Sequence, residues 1–175
     1  MAEIAPASKA SYNWALTALR MGRPEEARGA MQSLDPDRGA MRGDPRFWMR
    51  LADASHQLGD HERELEEVEE LEDRHPDDRS VLVHRVRALA ALGRTDDLVD
   101  LLETELAVGR LSVATLARRY RQAAVELSVH GHVRGARQLA SLGVVWIDTH
   151  GSPASAASGF VAGADATALH PQLDD

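Results

Sequence analysis

The stretch "LADASHQLGDH", Leu51 to His61, ends an apolar-periodic segment on Leu-Gly and an acid, and "RALAALGRTDD", Arg87 to Asp97, nearly repeats it. A helix commonly ends on a residue in the left-handed conformation, which costs a residue with a Cβ about 1–2 kcal/mol and costs glycine almost nothing. Gly59 and Gly93 therefore read as helix ends. Working outward, Gly22 and Gly131 follow apolar-periodic segments of their own, so the four corners are spaced by 37, 34 and 38 residues. A helix restart follows each corner: Pro24 with Glu25 and Glu26, Asp60 with Glu62, Thr95 with Asp96 and Asp97, and, more weakly, His132. Carboxylates in a first turn face the positive end of the helix dipole, and proline is tolerated there because its missing N–H would have no partner. The unit is helix, tight turn, helix. Its second helices carry Leu65, Val68 and Leu71, or Leu98, Leu101, Leu102 and Leu106, on one face. One hairpin cannot bury such a stripe, so successive hairpins are expected to stack into a solenoid.

These residues resemble the tetratricopeptide repeat, whose pattern is Trp-x2-Leu-Gly-x2-Tyr, then Ala-x3-Phe, then Pro. The second unit supplies Trp48, Leu51, Ala52 for Gly, Ser55 for Tyr, Val68 for Phe, and Pro76. In the first unit Ala15, Gly22, Ala27 and Met31 fall in register; the third keeps Gly93 and Leu102 but has Leu98 where a small residue is usual. The fourth keeps Ala124, Gly131, Ala136 and Ala140. The resemblance implies an all-α chain, a right-handed α-solenoid of about four repeats over residues 8–36, 44–76, 77–110 and 111–148. An arm of residues 1–7 precedes it and a flexible tail of residues 149–175 follows, with a short helix possible over residues 164–169. Trp48 is expected in the core. "DPDRGAMRGDP", Asp35 to Pro45, lengthens the first junction and reads as a loop closed by Asp44 as cap.

Composition narrows the function. At 175 residues, with 43% apolar and 4% aromatic content, the chain favours helices over aromatic-rich strands. It has no cysteine, which excludes disulfides, thiolate metal sites and cysteine nucleophiles. No apolar run reaches the length of a membrane span, and the amino end lacks a basic stretch followed by an apolar core, so a cytoplasmic product is expected. The net charge of −8 is lopsided: residues 44–76 hold 11 acids against 4 bases, and residues 111–148 hold 2 against 5. Overall acidity argues against bulk affinity for nucleic acid or anionic membrane.

Catalysis has no candidate residues. Phosphate-loop and calcium-loop spacings are absent, Gly-x-Ser-x-Gly is absent, and Lys9 is the only lysine. Among eight histidines, His130, His132 and nearby His150 make the best cluster, and His56 and His61 straddle Gly59. All of them read as surface or helix-end residues without a convergent metal-ligand set, so no metal and no cofactor is expected. In "HERELEEVEELEDRHPDD" the acids Glu62, Glu66, Glu69, Glu70 and Asp73 alternate with Leu65, Val68 and Leu71, as on an amphipathic helix with a solvated back.

What remains is a surface. In the resembled family the first helices line a concave groove, and its positions fall here on Lys9, Tyr12 and Arg20; Arg46, Met49, Asp53, His56 and Gln57; Ser80 and Arg87; and Arg118 and Arg121. Bases outnumber acids among them, so the implied partner is a protein or peptide of acidic character gripped by arginine forks. The alternative is that these arginines are solvated or pair with neighbouring acids. The family's carboxylate clamp is not matched. "LGVVWIDTH" leaves Val144, Val145, Trp146 and Ile147 on a last helix with no obvious cap, which points to covering by the tail, by further chain or by self-association. The expected function is a non-enzymatic interaction module. Its alternatives are a self-assembling structural subunit and a regulatory repeat fragment like those attached to bacterial kinases and transcriptional regulators.

Overall fold

The computed structural model describes residues 9–150, and all of their regular structure is helical. The helices are α1 (Lys9–Arg20), α2 (Pro24–Gln32), α3 (Arg46–Gln57), α4 (His61–Arg74), α5 (Ser80–Ala91), α6 (Thr95–Ala107), α7 (Val113–Val129) and α8 (Val133–His150). The arm of residues 1–7 and the helix expected over residues 164–169 lie outside the described residues.

The repeated phrase has a hydrogen-bonding cause. At each corner the amide after the glycine reaches back to a carbonyl five residues earlier: Arg23 to Ala18 at 2.9 Å, Asp60 to Ser55 at 3.0 Å, Arg94 to Leu89 at 2.9 Å and His132 to Leu127 at 2.8 Å. That closure satisfies carbonyls the helix end would leave open, and it requires the left-handed glycine between. Gly59 has φ +73° and Gly93 φ +72°. Gly93 has a second reason to be glycine, since an added Cβ would lie 2.5 Å from the His132 ring. That ring donates from Nε2 to the Ala91 carbonyl at 2.9 Å, locking the third corner to the fourth.

Hairpins pack in succession. α1 meets α3, α3 meets α5 and α5 meets α7, while α2, α4 and α6 each lie against the first helix of the next hairpin. The junction over residues 33–45 is a loop with a 3-10 turn at Gly39–Met41. It ends where Asp44 Oδ1 accepts from the Arg46 amide at 3.0 Å. Leu34 and Met41 from this loop are buried in the first core.

Two apolar cores form. One gathers Ala15, Met31, Phe47 and Leu51 from α1 to α3; the other gathers Leu89, Leu98, Leu102, Tyr120 and Leu139 from α4 to α8. The expected anchor Trp48 is corrected by its neighbour: Phe47 is buried, whereas Trp48 is half-buried at the core's edge. One step along a helix turns a side chain by about 100°, which carries Trp48 out to where the Arg74 guanidinium covers its ring at 5.2 Å.

Candidate interaction surface and the polar layer beneath it

Between the two cores lies a polar layer. Ser55 and Glu64 have no exposed surface and Glu67 almost none. Serine where the resembled repeat has tyrosine leaves room, and the Glu67 carboxylate from α4 fills it, accepting from Ser55 Oγ at 2.5 Å. Arg63 Nε donates to Glu67 at 3.3 Å, and Arg28 donates to Ser55 Oγ at 2.9 Å. Burial raises the Glu67 carboxyl above the ordinary carboxylate value, against the Ser55 hydrogen bond and the charges of Arg63 and Arg28. The acids read as a solvated back, Glu62, Glu66, Glu69, Glu70 and Asp73, are exposed; Glu64 and Glu67 turn inward.

Glu64 heads a chain of charges along the first helices. Arg87 of α5 donates from Nε to Glu64 at 2.6 Å and from Nη1 to Asp53 at 2.9 Å, and Arg50 donates to Asp53 at 2.5 Å. Burial would raise the Glu64 carboxyl, but the His56 hydrogen bond and the Arg87 charge outweigh it and hold it below the ordinary value. His84 sits at the edge with its buried Nδ1 unpartnered, 3.8 Å from Asp53. Burial and the Arg87 charge lower its affinity for a proton. A depressed folded value means a contribution to stability present above the unfolded pKa, about 6.5, and lost as pH falls through the folded value. Urea midpoints are therefore expected to drop between pH 7 and pH 5, and His84→Gln should flatten that slope; an unchanged slope would assign it to another group.

Three of the eight histidines converge on this layer. His56 Nδ1 lies 2.8 Å and His61 Nδ1 3.1 Å from the same oxygen of Glu64. His56 Nε2 lies 3.3 Å from Glu126 Oε1, which His130 Nε2 approaches to 3.2 Å. The expectation that these histidines are surface or helix-end residues without convergence is thus corrected for His56, His61 and His130. Glu126 is four residues before His130 on α7, and Glu64 three after His61 on α4; both spacings stand in the sequence. His132 belongs elsewhere, on Ala91, and the His150 side chain lies outside the described ones.

The expected groove residues separate into two sets. His56 and Arg87 are joined through Glu64, and Asp53 is joined to them through Arg87. Arg46 is likewise held, donating from Nε to both oxygens of Asp44 at 2.9 and 3.1 Å, with its guanidinium 5.5 Å from the Tyr12 ring centre. Met49 is half-buried, its Sδ accepting from Ser80 Oγ at 3.5 Å. Lys9, Arg20, Gln57, Arg118 and Arg121 are exposed and are not brought together with that network. A cleft of about 600 Å³ opens between the α4–α5 turn, the α6–α7 turn and α7. Two of its four arginines pair with its acids, Arg85 with Glu72 and Arg110 with Glu105.

Four stacked helix hairpins with left-handed glycine corners define the class: a tetratricopeptide-like helical-repeat fold. Among solved structures the chain is similar to MamA, residues 41 to the end, from Desulfovibrio magneticus RS-1, itself a tetratricopeptide-like protein, at TM-score 0.56 and 19% identity. It is similar also to the MamA RS-1 ArsTM double mutant, at TM-score 0.57 and 19% identity. Each match covers 79% of this chain and 74% of the other. No protein-family model and none of the curated proteins matches the sequence.

Proposed function

We propose that the chain is a non-enzymatic interaction module that binds a protein segment carrying both carboxylates and apolar side chains along the exposed face of α7. The observation that carries this reading is the stripe Arg118, Arg121, Val125 and Val129, spaced by three or four residues, exposed throughout, and continued past the corner by Val133. Val125 is 63% and Val129 73% exposed, more than any other large apolar residue described. In a stack of hairpins each unit covers the one before, and the last is left with a face that only a partner can hide. Guanidinium forks beside apolar side chains suit an acidic amphipathic segment. In this reading residues 8–148 act as one module between an arm of residues 1–7 and a tail of residues 149–175, and the middle of the first-helix wall serves stability rather than capture.

The test is capture from native lysate by the parent, by Arg118→Glu with Arg121→Glu, and by Val125→Asp with Val129→Asp. Each pair should lower recovery of the same partners by about tenfold or more. All four side chains are exposed, so melting temperatures should stay near the parent's. Undiminished capture by both pairs would reject the site. A second reading, self-assembly through this end of the array, is favoured by Val144 and Val145, each more than half exposed on α8. Sedimentation velocity across a concentration series decides it: a monomer at every concentration excludes self-assembly.

A further inference from the structure

We propose that His56, His130 and Glu126 form a divalent metal site, suited to zinc, that staples the second hairpin to the fourth. One donor atom from each of the three residues lies within 4.8 Å of the other two. Two of the three edges are 3.3 Å and 3.2 Å. In a tetrahedral site with metal–donor bonds of about 2.0–2.1 Å, neighbouring donors stand about 3.3 Å apart, so these edges already have the length that coordination demands.

Proton counting points the same way. A neutral imidazole has one N–H and one lone pair. His56 presents both nitrogens to carboxylates, Nδ1 to Glu64 and Nε2 to Glu126. With Nδ1–H donated to Glu64, which has no exposed surface and is held from behind by Arg87, the Nε2 lone pair faces the Glu126 oxygen at 3.3 Å. Two lone pairs then face each other, an arrangement that a cation between them relieves. The ordering carboxylate behind a ligand histidine is the arrangement metal sites use to fix the ring and raise its basicity. Glu64 orients His61 in the same way, and that ring stands 4.5 Å from His130 between centroids.

Backbone charge adds to this. His56 lies in the last turn of α3, Glu126 in that of α7, and His130 directly after α7, so two helix carboxyl ends, each with partial negative charge, meet at the site. His56, Glu126 and His130 are each about a quarter exposed, open enough for an ion to enter. A bound ion would fix the curvature of the array across the third hairpin.

The experiment uses the full chain freed of metal by chelator and dialysis. Zinc titrated against a chromophoric competitor should bind at one ion per chain and raise the melting temperature, and cobalt(II) should give the intense visible bands of a four-coordinate site. His130→Ala and Glu126→Gln should each abolish the bands and weaken zinc binding by about tenfold or more, whereas His132→Ala, outside the cluster, should leave both unchanged. Zinc binding that survives unchanged in the His56→Ala, His130→Ala double variant would overturn the proposal. So would a chain whose melting temperature does not respond to zinc and rises only on mild acidification in chelator, since protons alone would then supply the cation.

Discussion

Replacing Arg87 with alanine is expected to lower the unfolding free energy by about 3–5 kcal/mol, because it strips the guanidinium from Glu64 and one of the two from Asp53 at once. Glu64 has no exposed surface and Asp53 little, so water cannot take over the solvation that the guanidinium supplies. Urea unfolding at neutral pH measures the loss. In a Glu64→Gln background the same replacement should cost clearly less, and the difference is the coupling between the two groups. A loss below about 1 kcal/mol in the parent background would mean that the pair behaves as a surface ion pair, and that the layer between the cores is wet.

Tyr120→Ala is expected to be as damaging, at about 3–5 kcal/mol, for a different reason. Tyr120 is the largest fully buried side chain among the described residues, set in the core shared by α5, α7 and α8, where Gly143 lets α8 come close to its Cβ. Its removal leaves a cavity that stacked helices cannot collapse without breaking register. The hydroxyl matters less, because it reaches Glu103 only at 3.5 Å. Tyr120→Phe should therefore stay near the parent at neutral pH. At high pH the two should differ: burial and the Glu103 charge push the Tyr120 hydroxyl up to about 12. A raised folded value gives a contribution that is full below the unfolded pKa, about 10, and lost as pH rises toward 12. The phenylalanine variant should lack that alkaline loss, and thermal melts between pH 9 and pH 11 would report it.

Much of the fold was legible because its determinants are local. The corner glycines announce a left-handed closure, the acids after them announce a restart, and Leu65, Val68 and Leu71 mark the buried face of α4 whatever the neighbours are. Trp48 shows the limit of that reading. Position in a repeat pattern selected it over Phe47, but which of two adjacent aromatics is swallowed depends on how α2 and the 33–45 loop lie against α3. The groove was legible only as a set of positions. The resemblance placed arginines along one wall; sequence carried no information on which acids would reach them, so the choice between a free and a paired Arg46 or Arg87 stayed open until Asp44, Asp53 and Glu64 were found beside them. The histidine cluster was half-written: Glu126 with His130 and His61 with Glu64 are helical neighbours.

By itself the sequence determined a chain of helix hairpins, their corners and their buried stripes, since each follows from hydrogen bonds and side-chain periods spanning a few residues. The tertiary structure alone decided that α3 and α7 approach at their ends, bringing His56 against Glu126 across an intervening hairpin, and that a charged layer fills the space between two apolar cores. The reason is geometric. The curvature of a stack accumulates from small rotations between successive hairpins, each set by side-chain volumes at an interface, and no single stretch of residues encodes their sum.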